Sequence, residues 1–128
     1  MKLAAVGVTT SNMKKTVSFY TILGFKFPNY DSEEGHVEAI SPAGSVRLMI
    51  DLKQIIKDII NEDPKPGNHS IFALEYDSVE ELNQIVIEVE SAGFKSIKEP
   101  WDAFWGQRYA VVEDPDGYKV DLYAYIKK

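Results

Sequence analysis

Two groups of side chains in this 128-residue chain could do chemistry. The first is the stretch Glu99-Pro100-Trp101-Asp102-Ala103-Phe104-Trp105-Gly106-Gln107-Arg108-Tyr109, which holds both tryptophans beside Phe104 and Tyr109. Pro100 and Gly106 keep it from being regular helix. Aromatic side chains on such a segment serve as stacking walls for flat or apolar ligands, or as a plug at a sheet end or subunit contact. The second is a scattered set, Arg47, Met49, Asp51, His69, Glu75, Asp121 and Tyr123, which mixes carboxylates with a guanidinium, an imidazole, a phenol and a thioether. Carboxylates of suitable pKa move protons, carboxylates with imidazole hold divalent metals, and the same groups anchor a polar ligand without any reaction. The chain has no cysteine, so thiolate nucleophiles, thiolate metal sites and disulfides are excluded.

The scattered set becomes one set once the strands are read with period 2. Ala4, Val6 and Val8, then Val46, Leu48 and Ile50, then Phe72, Leu74 and Tyr76, and last Val120, Leu122 and Ala124 form uniformly apolar faces suited to packing under helices. The alternate positions collect the polar residues named above among small ones. That mixture is too polar for a dry core, and a curved sheet presenting it lines a cleft. Its carboxylates favour a cationic or hydroxylated ligand.

The elements that position these residues come in duplicate. Ser11–Leu23 shows helical periodicity through Met13, Val17, Tyr20 and Leu23, and Ser78–Ala92 shows it through Leu82, Ile85, Val86 and Val89. Ser78 and Glu81 have capping-box spacing. Both helices exit through the same tripeptide, Gly24-Phe25-Lys26 and Gly93-Phe94-Lys95, and each half closes on a Pro-Gly turn, Ser41-Pro42-Ala43-Gly44 and Asp114-Pro115-Asp116-Gly117. The pattern predicts an α+β protein built from two tandem βαβββ units that form a curved mixed sheet around a cleft. Strands are expected near Leu3–Val8, Phe25–Asn29, His36–Ser41 and Ser45–Asp51, and again near His69–Tyr76, Phe94–Ile97, Gln107–Val112 and Tyr118–Tyr125. The whole is read as one domain, residues 1–128, with a first unit over about 1–52, a connector over 53–68 and a second unit over about 69–126. The connector carries a helical stripe, Leu52, Ile55, Ile56, Ile59 and Ile60, read as a packed element, before Asp63-Pro64-Lys65-Pro66-Gly67 breaks it.

With 20 acidic and 14 basic side chains the net charge is −6, which argues against nucleic acid or an anionic membrane as partner. No apolar run approaches the roughly 18 residues of a membrane span. A cytoplasmic location agrees with the absence of cysteine.

The helix Ser18-Phe19-Tyr20-x-x-Leu23-Gly24-Phe25, the closing Trp105-Gly106-Gln107-Arg108-Tyr109 and Asp114-Pro115-Asp116-Gly117-Tyr118, and the paired units resemble the vicinal oxygen chelate superfamily. That superfamily covers glyoxalase I, extradiol dioxygenases and the bleomycin- and fosfomycin-resistance proteins. The resemblance implies that metal-dependent members hold a divalent ion with one residue from the first and fourth strands of each unit, usually His, Glu or Gln. The matching positions here are Ala5, Met49, Ile71 and Asp121, with Leu48 in place of Met49 if the turn spacing governs the register. Only Asp121 among them is a ligand for a hard cation. The expectation is therefore a small-molecule-binding protein resembling the metal-independent, bleomycin-resistance-like branch, with no cofactor and no catalytic residue. Its candidate ligand contacts are Arg47, Met49, Trp101, Phe104, Trp105, Asp121 and Tyr123. The alternative is a metal-dependent lyase, isomerase or dioxygenase of the glyoxalase type with a site rearranged onto His69, Glu75 and Asp121. His36, beside Glu33 and Glu34, reads as a surface residue. By the same resemblance the protein is expected to be a homodimer.

Overall fold

The repeated Gly-Phe-Lys tripeptide is a helix-ending device. In the computed structural model, which describes residues 1–127, helix α1 (Met13–Leu23) runs into Gly24 at φ +116°, a left-handed conformation that costs glycine nothing. Gly24 N–H then donates to the Thr21 carbonyl and Phe25 N–H to the Tyr20 carbonyl. The third helix, α3 (Val79–Ser91), ends the same way: Gly93 lies at φ +87°, with Gly93 N–H on Glu90 and Phe94 N–H on Val89. These are paired Schellman bonds, and the phenylalanine supplies the hydrophobic contact that accompanies them. Phe25 meets the Tyr20 ring edge-on at 5.9 Å.

The helix starts are equally local. Asn12 caps α1 by accepting from Lys15 N–H at 3.1 Å, and Ser78 caps α3 by accepting from Glu81 N–H at 3.0 Å. The Glu81 carboxylate reaches back to the N–H of Asp77, one residue before the cap.

The chain divides into two compact units, Met1–Lys65 and a second beginning at Pro66. In the first, β1 (Ala5–Thr10) pairs in parallel with β3 (Arg47–Leu52), which pairs antiparallel with the short β2 (His36–Glu38), giving the order β1-β3-β2. In the second, β4 (Ser70–Glu75) pairs in parallel with β7 (Lys119–Tyr125). Antiparallel β6 (Gln107–Glu113) and β5 (Lys95–Asp102) complete the order β4-β7-β6-β5. Each unit is thus an α+β half with a mixed sheet and the same connectivity, as the duplication predicts.

One expected strand is absent. Phe25–Asn29 contributes a single bridge, Lys26 to Ile40. Pro28 has no N–H to continue a ladder, so the second strand of the first unit never develops. β2 is correspondingly cut to three residues.

The apolar faces pack as the alternation requires along most of their length, but not at their outer ends, where Ala4 is exposed and Val46 is 43% exposed. In the first unit Phe19, Tyr20 and Leu23 of α1 are buried with Val8, Leu48, Ile50 and Val37. In the second, Leu82, Ile85, Val86 and Val89 of α3 are buried with Ala110, Val112, Val120, Leu122 and Ala124. The connector helix α2 (Lys53–Ile60) forms, but none of its residues is buried, and Ile59 is 69% exposed. It is therefore less packed than its apolar stripe suggests. Among the described residues no helix is long and apolar enough to cross a membrane.

Candidate functional site

Register fixes which side chains share the sheet faces turned away from α1 and α3. In the second unit Glu75 pairs with Tyr123, Tyr123 with Tyr109, and Tyr109 with Trp101, so one transverse row crosses all four strands. The next row runs Ala73, Asp121, Val111 and Lys98. Tyr109 and Tyr123 stack at 6.0 Å with planes 11° apart. Trp101 and Trp105 meet the Tyr109 ring at 5.8 and 5.6 Å, and Phe104 meets Trp105 edge-on at 5.0 Å. Trp105 Nε1 donates to Gln107 Oε1 at 2.8 Å.

The two carboxylates of this face are held by hydroxyls. Tyr123 Oη donates to Glu75 Oε1 at 3.0 Å, Tyr109 Oη donates to Asp121 Oδ2 at 2.6 Å, and Ser70 Oγ donates to Asp121 Oδ1. Burial, reinforced by the Asp121 carboxylate, pushes the Tyr109 phenol up to about 12. The bond to Glu75 raises the Tyr123 phenol as well.

Ser70 reaches Asp121 because of a bulge. The register shifts between Ser70 and Phe72, and Ser70 pairs with Lys119 at the place that simple alternation assigns to Ile71. His69 is also displaced from its expected position. Its Nδ1 donates to the Ser70 carbonyl at 2.9 Å, and its ring lies against Gly67.

The first unit carries a different constellation. Val8 and Leu74 stand at the same distance before their helix caps, and Val8 pairs with Ile50 as Leu74 pairs with Leu122. This settles the open register. Met49, paired with Gly7, is the counterpart of Asp121, paired with Ala73, while Leu48 is 1% exposed on the helix side. Beside Met49, His36 bridges two carboxylates, with Nδ1 on Asp51 Oδ1 at 2.6 Å and Nε2 on Glu38 Oε2 at 2.7 Å. Arg47 Nη1 donates to Glu38 Oε1 at 2.6 Å.

His36 is exposed, as read, but its partners are Asp51 and Glu38 and not the loop glutamates Glu33 and Glu34. Counting back equally from the Pro42–Ser45 turn would have placed it opposite Asp51. Both ring nitrogens donate, so the bonds to Glu38, then Asp51, raise its pKa above 6.5, and Glu38 is lowered in return. A group raised on folding stabilises the fold fully below its unfolded value, and that contribution fades as pH rises through the folded one. The His36 ring should titrate above 6.5 by proton NMR, and Glu38→Gln should move it down. A His36 midpoint at or below 6.5 would contradict the bridged geometry.

Of the seven candidate contacts, the structure brings Trp101, Phe104, Trp105, Asp121 and Tyr123 together on one face of the second unit, and it puts Arg47 and Met49 on the corresponding face of the first. The reading from sequence left Tyr109 and Ser70 out of that group. Tyr109 links the aromatic and acidic halves of the face, and equal counting from the closing pair Asp114–Tyr118 identifies it, whereas counting from Asp114–Gly117 puts it opposite Leu122.

The residues do not fit a divalent ion held as the superfamily holds one. Of the four expected positions Ala5, Met49, Ile71 and Asp121, the bulge replaces Ile71 by Ser70, whose hydroxyl is spent on Asp121, and both Asp121 oxygens already accept hydroxyl hydrogen bonds. His69, Glu75 and Asp121 each have their own partners, and among the described residues no group of three His, Asp or Glu side chains could hold a metal.

Two α+β units of the same connectivity, each turning a polar sheet face away from its helix, define a duplicated βαβββ protein. The chain belongs to the Glyoxalase/Bleomycin resistance protein/Dioxygenase superfamily, whose family model matches residues 2–122. Among solved structures it is similar to a glyoxalase-related enzyme from Fulvimarina pelagi, with 16% identity, TM-score 0.81, and 97% of this chain and 88% of that one covered. It is also similar to the hypothetical protein SA1046 from S. aureus, with 19% identity, TM-score 0.78, and 97% and 93% covered. A lactoylglutathione lyase from Agrobacterium tumefaciens matches at 12% identity, TM-score 0.68, with 96% and 92% covered. At such identities the likeness shows the fold. No curated protein matches the chain.

Proposed function

We propose that this protein is a metal-independent small-molecule-binding member of its superfamily, resembling the bleomycin-resistance branch. Its ligand surface is the face of the second unit formed by Trp101, Phe104, Trp105, Asp121 and Tyr123, completed by Tyr109. Arg47 and Met49 are further candidate contacts on the first unit. The observation that carries this reading is the row Glu75, Tyr123, Tyr109 and Trp101. Half-buried aromatic rings stand there in edge and stacked contact beside two carboxylates, on the sheet face away from the helix. Rings that are partly desolvated and held by neighbours bind flat or apolar bodies at low entropic cost. Trp105 is 49% exposed and Phe104 97% exposed, and a ligand would cover both.

We extend the reading to a cytoplasmic homodimer, on the cysteine-free sequence and the family resemblance. The second reading is a glyoxalase-type lyase, isomerase or dioxygenase. It would need metal ligands at positions where this chain has Ala5, Met49 and, through the bulge, Ser70.

A small-molecule screen followed by quenching of Trp101 and Trp105 tests the proposal. Binders should quench equally with and without a chelator, and Trp101→Ala should weaken them about tenfold, as lost ring contact in a recognition site costs roughly 1–2 kcal/mol. Quenching abolished by the chelator would overturn the reading.

A further inference from the structure

We infer that the ligand of this face is an organic cation: an ammonium group on an aromatic or apolar body, seated against Glu75 and Asp121 with Trp101 and Trp105 as ring walls. The inference rests on the ligand surface proposed above and specifies what that surface selects.

The first argument is the direction of the hydrogen bonds. Every hydroxyl proton beside the two carboxylates is already spent on them: Ser70 and Tyr109 on Asp121, and Tyr123 on Glu75. A donating hydroxyl keeps its oxygen lone pairs, and an ionised carboxylate accepts up to about four bonds. An arriving group at this spot therefore meets acceptors and must itself donate. A carboxylate or phosphate would meet oxygen lone pairs and negative charge.

The second argument is charge. Except for Lys98, which rests on the Trp101 wall itself, the basic side chains of the sheet named here are engaged elsewhere. Lys95 and Lys119 face Glu113 at 3.7 and 3.9 Å, Arg108 donates to Asn83 and Asp102, and Lys98 Nζ sits over the Trp101 ring at 4.9 Å. Among the described residues neither Glu75 nor Asp121 is paired with a cation. Two carboxylates with only neutral partners stand next to aromatic faces, whose quadrupoles are themselves negative. Both features attract a cation. Lys98 on Trp101 shows that an ammonium already rests on this aromatic cluster. A neutral donor such as a polyol would satisfy the acceptors and leave both charges uncompensated, which is why a cation is preferred to a hydroxylated ligand.

The test uses three probes that share one body and differ in charge: 2-phenylethylamine, 2-phenylethanol and phenylacetate. They are titrated into the intact protein while NMR follows the indole N–H signals of Trp101 and Trp105. The amine should bind at least about tenfold more tightly than the other two and lose affinity as salt is raised. Glu75→Gln and Asp121→Asn should each weaken the amine several-fold and weaken it more than the alcohol, with circular dichroism confirming that the variants fold. Equal or tighter binding of phenylacetate or the alcohol would overturn the cation inference while leaving the ligand face standing. Indole signals unmoved by all three probes would overturn the ligand face itself.

Discussion

Leu122→Ala should lower the free energy of unfolding by about 2–5 kcal/mol, while Tyr123→Phe, one residue further on, should leave the denaturation midpoint essentially unchanged. Leu122 is fully buried in the layer between α3 and its sheet, paired across strands with Leu74 and Ala110. Removing its branched end leaves a cavity that a rigid sheet cannot collapse. Tyr123 lies on the opposite face, and its hydroxyl contacts Glu75 at an exposed position. Urea denaturation of both variants measures the contrast. Comparable losses in the two would mean that both faces of β7 are core, leaving no face for a ligand.

Asp114→Ala is the second large effect, at about 2–4 kcal/mol by loss of charge-assisted bonds to a buried turn. Asp114 is 4% exposed, and its Oδ1 accepts from the N–H groups of Asp116 and Tyr118, both at 2.9 Å. Alanine would remove the carboxylate that both N–H groups donate to. The turn also sets the β6–β7 register that puts Tyr109 opposite Tyr123. The variant should therefore lose the tyrosine stack together with its stability, and hydrogen exchange at Asp116 and Tyr118 should accelerate. Asp114→Asn keeps one acceptor and should cost less. A stable Asp114→Ala with unchanged exchange would show that the Pro115-Asp116-Gly117 backbone makes the turn unaided.

What could be read from the sequence was what local rules decide. Helix caps and helix ends depend on residues a few positions apart, so Ser78, Glu81 and the two Gly-Phe pairs announced themselves, and period-2 alternation separated Leu122 from Asp121 and Tyr123. Long-range pairing was less visible. The bulge at Ser70–Phe72 answers to the partner strand, and nothing in Ser70-Ile71-Phe72 marks it, so Ile71 was expected where Ser70 stands. The loss of the Phe25–Asn29 strand could have been inferred from Pro28. The His36 bridge and the central place of Tyr109 both follow from antiparallel counting across turns, an inference that requires the turn residues to be paired first. Met49 as the counterpart of Asp121 needed the parallel register of both units, since the turn spacing alone pointed to Leu48.

The measurement that reaches the central claim, ligand binding without a metal, is metal content per chain. The protein would be purified without chelator or affinity tag and offered nickel, cobalt, zinc, manganese and iron before elemental analysis. The account predicts no retained metal, because Ala5 and Met49 offer no donor for a hard divalent ion, and Ser70, which stands where Ile71 was expected, and Tyr109 both spend their hydroxyl protons on Asp121. Near-stoichiometric retention of one ion, lost on Asp121→Asn, would contradict it and return the protein to the metal-dependent members of its superfamily.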